Sequence, residues 1–166
     1  MTNKHQICDS DERIKDTFLI ASSKLQTADA VAAIILVDNT KYLMQLRDSN
    51  PNIFYPNHWG CFGGAIDLDE SSPKALKREL REELELDCEQ FNKFISFTFD
   101  LRKLHQRRVI RTYYEIKIDS TTLSRLVLHE GAEFAAISGT DLITEYKVAP
   151  YDAFAIWLHM SKKRFL

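Results

Sequence analysis

Residues 77–86 read Lys-Arg-Glu-Leu-Arg-Glu-Glu-Leu-Glu-Leu, and they crowd Glu79, Glu82, Glu83 and Glu85 into a stretch that otherwise favours a helix. At ~100° per residue, Glu79, Glu82 and Glu83 share one arc of the helix surface, Leu76, Leu80 and Leu84 form a stripe beside it, and Lys74, Lys77, Arg81 and Glu85 face away. One reading is a solvated helix held by pairs between Glu and Lys or Arg, since Lys77 and Arg78 lie near acidic neighbours. Against it, three carboxylates lie on one side with no basic residue among them, and like charges one turn apart repel, more strongly when buried. A cation resolves the conflict. Oxygen ligands at i, i+3 and i+4 suit Mg²⁺ or Mn²⁺, and the absence of thiol or imidazole from the group argues against zinc.

The elements that must position this helix can be traced along the chain. "ADAVAAIILVDN" is β-branched and almost wholly apolar, as a strand covered on both faces would be, and a turn at Asp38, Asn39 and Thr40 leads into a second strand, "KYLMQLR". "DSNPNIFYPNHWG" carries Pro51, Pro56 and several Asn, so it reads as a long loop rich in aromatic residues, a plausible ligand wall. "CFGGAI" predicts a short strand ending on glycines. Ser72 as N-cap and Pro73 as first helical residue predict a helix to about Glu85. "FNKFISFTFDL" and "RVIRTYYEIKI" alternate as an antiparallel pair turning near Gln106, "EFAAIS" is a further strand, and "APYDAFAIWLHMSKKRFL" is a closing helix with Lys162, Lys163 and Arg164 at its C-terminus. Residues 1–27 form a polar extension in which "RIKDTFLIASSKLQ" fits a strand or a helix equally.

The 166 residues fit one domain, 45% hydrophobic and 28% charged, with a mixed sheet and helices packed on it. A net charge of −2 gives no field to hold a nucleic acid polymer. The local exception, Arg102, Lys103, His105, Arg107, Arg108 and Arg111, reads as a solvated hairpin. Cys8, Cys61 and Cys88 are too scattered for a disulfide framework or a zinc site, and no apolar run approaches the ~18 residues of a membrane span. A cytoplasmic protein is expected.

Taken with the residues ahead of it, the acidic helix resembles the Nudix box. That pattern is Gly, five spacers, Glu, seven spacers, then Arg-Glu-apolar-any-Glu-Glu-any-Gly-apolar, here Gly64, Glu70, and Arg78 through Leu86, with Glu85 in place of the usual Gly. Because that Gly ends the helix in the left-handed conformation, its replacement is expected to alter the C-terminal turn and leave the charged positions alone. The resemblance implies an α/β/α sandwich with a central mixed sheet, and a metal-dependent hydrolase cutting a nucleoside diphosphate joined to some other group.

It also implies roles. Glu79, Glu82 and Glu83 would hold one or more Mg²⁺ or Mn²⁺ ions, Glu79 or a glutamate outside the box would be the general base, and Arg78 would hold Glu79. Gly63 and Gly64 would let the backbone approach metal and phosphates, with the Gly64 carbonyl a candidate ligand, and Glu70 would support the loop. Outside the box, Glu130 is favoured over Glu133, because Gly131 beside it suggests a turn that aims the carboxylate. Phe54, Tyr55 and Trp59, with His58, offer faces for a base, although Trp59 and Phe62 fit a core role equally; Arg47, Arg102, Lys103 and Arg107 are candidate phosphate or sugar contacts. The expected partner is a small nucleotide, and family members are often homodimers. Two other classes compete: a nucleotide sensor of the same fold without turnover, which would usually lose box carboxylates, and an isoprenoid diphosphate isomerase, for which Cys61 is the one suggestive residue.

Overall fold

The computed structural model describes residues 27–104 and 107–162. Expectations for residues 1–26, for the turn at Gln106 and for Lys163 and Arg164 lie outside the described residues.

The doubly covered strand is β1, Ala30–Val37, buried from Val31 onward. Asp38 and Asn39, with φ of 48° and 57°, reverse the chain into β2, Lys41–Leu46, which pairs antiparallel with β1 through Ile35↔Leu43 and Val37↔Lys41. β5, Arg108–Ile118, runs parallel to β1 from Ala30↔Arg111 to Val37↔Ile118, and β4, Asn92–Asp100, is antiparallel to β5 as its alternation predicts. β6, Glu133–Ser138, pairs antiparallel with β2.

The short β3, Trp59–Gly60, opens this sheet where the site will sit. It pairs with β2 through Gln45↔Gly60, and the chain beyond it then crosses to β1, where Phe62 O accepts from Ala33 N at 2.8 Å and Gly64 O from Val31 N at 2.9 Å. Regular pairing therefore ends at Gly60, and "CFGGAI" is held by single bridges where a strand was expected.

Alternation along β1 feeds two cores. Val31, Ala33 and Ile35 pack with Phe62 and Ile116 beneath α1, Ser72–Leu84, whose Leu76, Leu80 and Leu84 are fully buried. Ala32, Ile34 and Leu36 pack on the other face with Leu142 of α3, Gly139–Thr144, and with Ala155 and Ile156 of α4, Pro150–Ser161. Each such buried aliphatic side chain contributes roughly 1.5–3 kcal/mol, so the leucine stripe alone anchors α1 firmly. The result is the expected α/β/α sandwich on a mixed sheet. Neither α3 nor the single turn α2, Ser120–Leu123, was expected; both are short and lack an apolar period of their own.

Two local corrections concern α1. Its N-cap is Ser71, one residue before the expected Ser72, whose hydroxyl instead bonds the Tyr114 hydroxyl at 2.8 Å. At the other end the turn is not altered by Glu85. This residue takes φ 53° and ψ 29°, with Glu85 N donating to Arg81 O and Leu86 N to Leu80 O, the reversal that Gly ordinarily makes. A non-glycine residue in this conformation costs roughly 1–2 kcal/mol, which the surrounding packing must offset.

Candidate active site

Two glycines bring the crossing segment down onto α1. Gly63 has φ 124°, and a Cβ there would stand 2.5 Å from Val31 O. Its N–H donates to Glu83 Oε2 at 2.7 Å. At Gly64 a Cβ would lie 2.6 Å from Glu79 Oε1, so only a residue without a side chain lets the backbone rest on that carboxylate. The Gly64 carbonyl accepts from Val31 N and keeps a second lone pair.

Arg78 organises the outer part. Its Nε and Nη2 grip Glu70 in a two-pronged ion pair at 3.1 and 2.9 Å, Nη2 also donates to Ala65 O, and Nη1 donates to Glu79 Oε1 at 2.8 Å and Glu82 Oε2 at 3.1 Å. The Glu70 pKa is lowered, chiefly by the hydrogen bond from Arg78. The expectation of no basic residue among the three carboxylates therefore fails for Glu79 and Glu82. Arg78 stands one turn before Glu82 on the same face of the helix, an i,i+4 pair, and its long side chain also bends across to its neighbour Glu79.

Glu83 lacks any basic partner among the described residues. Its side chain is carried by the core face of α1, and the residue is only 4% exposed. Its pKa is raised to about 8, by burial first and by Glu130 and Glu79 as well, against the lowering effect of the Gly63 N–H and the Gln45 amide. The Glu79 pKa is also raised, by burial first and then by Glu82 and Glu130, against the hydrogen bond from Arg78.

Glu130 arrives on the loop before β6. That loop is tied to the end of α1, with Val127 N donating to Leu84 O and His129 N to Glu83 O, and to β2, where Ala132 N donates to Leu46 O. Gly131, φ 88°, makes the turn against Gln45. Glu133 lies on β6 opposite Leu46, away from the cleft wall formed by Glu79, Glu83 and Glu130.

These carboxylates stand at one wall of a cleft of about 650 Å³. The other walls include Arg47, Phe54, Tyr55, Phe99, Arg111, Tyr151 and Phe154. Arg47 donates Nε to Phe54 O, and Tyr55 takes φ 53°, rare for an aromatic residue, with its ring edge-on to Tyr151 at 5.3 Å. Trp59 is not in the cleft. At 8% exposure it packs in the core beside Tyr146, because β3 turns its side chain into the sandwich; Phe62 is likewise core. Arg102 pairs with Asp100, and Arg107 with Asp29 and the Thr27 carbonyl; neither is a lining residue, nor is Lys103. Sequence reasoning missed Arg111, which donates to Tyr113 and Asp152 and lies over the Tyr151 ring at 4.6 Å. A charged residue in register with inward-facing Val109 and Tyr113 was the available signal.

Among the described residues, no group of three or more His, Cys, Asp or Glu is gathered into a finished metal cage. The donor set fits a hard divalent ion by its chemistry: a buried carboxylate with no counter-charge among the described residues, two more carboxylates beside it, and the Gly64 backbone resting against one of them. Arg78 engages one oxygen each of Glu79 and Glu82.

A family model described as NUDIX domain matches residues 26–159. No curated protein matches. Among solved structures, the MutT protein from Methanosarcina mazei Go1 superposes with a TM-score of 0.67 at 18% identity, covering 85% of this chain and 97% of that one. The E. coli ORF135 protein gives 0.65 at 24% identity over 85% and 94% of the two chains. The NUDIX domain of Shewanella oneidensis NrtR, complexed with ADP ribose, gives 0.64 at 16% identity over 96% and 100%. These likenesses are to the fold, and the family match spans most of the sequence: the chain belongs to the Nudix hydrolase family, whose chemistry is the hydrolysis of phosphorus-containing anhydrides.

Proposed function

We propose that the chain hydrolyses the pyrophosphate linkage of a nucleoside diphosphate joined to another group, with Mg²⁺ or Mn²⁺ bound by Glu79, Glu82, Glu83 and the Gly64 carbonyl. The observation that carries this is Glu83: a buried carboxylate ringed by Glu79 and Glu130, with no cation supplied by a described residue. A divalent ion there would neutralise phosphate charge and lower the pKa of a bound water. The protein supplies the remainder. Arg78, fixed by Glu70, holds Glu79 in place, and Glu130, exposed at the cleft rim, takes the proton of the attacking water and passes it to solvent. Water adds to phosphorus, the anhydride P–O bond breaks, and a nucleoside monophosphate and the phosphorylated second group leave. Arg47, Phe54 and Tyr55 line the wall that would receive the nucleoside, joined by Arg111, Tyr151 and Phe154.

No described helix is long and apolar enough to cross a membrane, and we place the protein in the cytoplasm. The test is a panel of nucleoside triphosphates, dinucleoside polyphosphates and nucleotide sugars, incubated with Mg²⁺ or Mn²⁺ and assayed for nucleoside monophosphate; the ADP ribose held by the Shewanella neighbour puts that compound in the panel. At least one substrate is expected to turn over, with Glu83→Gln slower by on the order of 100-fold or more. Equal rates for the two proteins would refute the assignment.

A further inference from the structure

Gln45 belongs to no box and does not line the nucleoside cleft, yet it is 2% exposed and sits in β2 behind the loop that carries Glu130. Its Nε2 donates to Glu130 O at 2.7 Å. Its Cγ lies 2.7 Å from where a Cβ on Gly131 would stand, so the turn after Glu130 closes directly on the Gln45 stem. Of the loop's other attachments, His129 N to Glu83 O and Ala132 N to Leu46 O flank the Glu130–Gly131 pair and leave Gln45 as the fastening at the pair itself. A buried amide on a central strand costs desolvation unless its donors are used, and here a donor is spent on the loop whose carboxylate faces the cleft.

We propose that Gln45 is a positioning residue, which fixes the Glu130 loop against Glu83 so that both carboxylates address the same ion and water. It touches no reacting atom. It acts by holding the backbone that carries the Glu130 carboxylate, as groups behind metal ligands do elsewhere. This inference rests on the metal-dependent reading of the site and concerns how the site is held.

Gln45→Met keeps the length and volume of the side chain and deletes the amide. In the full chain, Mn²⁺ affinity of the nucleotide-free protein, read from the electron paramagnetic resonance signal of free Mn²⁺, is expected to weaken about 10-fold, and kcat to fall by a similar factor with KM changed less than about twofold. Gln45→Asn, which keeps an amide but withdraws it by one methylene, is expected to lose the same two properties and covers the case in which the methionine variant does not fold. Circular dichroism establishes folding for each. Folded variants with wild-type Mn²⁺ affinity and wild-type kcat overturn the proposal. Wild-type protein that binds no Mn²⁺ and hydrolyses nothing would overturn the parent reading instead, so the two failures are told apart.

Discussion

Glu83 and Asp152 are both carboxylates withdrawn from water on a single sandwich, at 4% and 1% exposure, and their surroundings are opposite. Asp152 is answered from within. Its Oδ1 accepts from Tyr113 Oη at 2.8 Å and Arg111 Nη2 at 3.3 Å, and its Oδ2 from Cys61 N at 3.0 Å. Glu83 receives one backbone N–H and faces two further carboxylates. A buried acid answered by the protein ties elements together, here β5, the crossing segment and α4. One left unanswered is a standing demand for a charge from outside, and α1 bears the cost of holding it.

The largest effect should come from breaking the answered acid. Asp152→Ala leaves Arg111 without its carboxylate and the Tyr113 hydroxyl with only the Tyr151 carbonyl to donate to, so unfolding in urea is expected to show a loss of about 3–5 kcal/mol. A loss below about 1 kcal/mol would mean that the pair is no tie, and the contrast with Glu83 would lose its first half.

Glu83→Gln should act in the reverse direction on stability. Because burial raises the folded pKa of Glu83 to about 8, above its unfolded value, its favourable contribution is complete only below the unfolded pKa and disappears as pH rises through about 8. Metal-free Glu83→Gln protein is therefore expected to be more stable than wild type at pH 9, by on the order of 3 kcal/mol, while being the less active. Saturating Mn²⁺ should raise the Tm of wild type and not of the variant. Identical melting curves for the two proteins from pH 5 to 9, with and without Mn²⁺, would show that Glu83 carries no such burden.

How much of this was legible follows from which interactions have a sequence period. The helix of Glu79, Glu82 and Glu83, the leucine stripe beneath it and the alternating strands all declare themselves through regular spacing. Asp152 does not: as an acid in the first turn of α4 it reads as a favourable surface residue, and only its place with Ala155, Ile156 and His159 on the buried stripe betrays it. Arg111 was counted with the basic hairpin because four neighbours share its charge, although its register on β5 faces inward. Trp59 looked like part of the aromatic loop because sequence marks where irregular backbone ends only loosely, and β3 begins on that residue. Gln45, a lone amide in a strand, carries no signal until the loop from residue 127 onward folds back on it.

His159 is an intermediate case that sharpens the comparison. It is buried, with Nδ1 bonded to Tyr42 Oη at 2.9 Å and Nε2 to Glu115 at 2.7 Å, and Lys162 also pairs with Glu115. Burial lowers the His159 pKa, against the pull of Glu115 and with repulsion from Lys162 and Lys117 acting alongside burial. For Glu115 burial acts upward, but the hydrogen bonds from Lys162 and His159 prevail and set the pKa at about 2. A histidine with a depressed folded pKa contributes stability above its unfolded value, near 6.5, and loses it as pH falls. Wild-type stability should thus drop between pH 7 and 5, and again below pH 4.5 as Glu115 is protonated. His159→Gln should abolish the first step and keep the second. A first step of unchanged size would assign it to another group.

The smallest effect belongs to an acid at the surface. Glu85 is exposed at the end of α1, hydrogen-bonded to His129 Nε2 at 2.7 Å, and its cost is conformational: φ 53° where Gly is at ease. Glu85→Gly relieves that strain, removes an exposed pair worth a few tenths of a kcal/mol, and adds unfolded-state entropy, terms of similar size and opposing sign. Relief of a left-handed side chain is the larger of them, so the variant is expected to be more stable by about 0.5 kcal/mol in urea unfolding, with Mn²⁺ affinity unchanged because Glu82 and Glu83 keep their helical turn. A Mn²⁺ affinity that falls with this substitution would show that the His129 link, and with it the loop bearing Glu130, is set from the helix end as well as from β2.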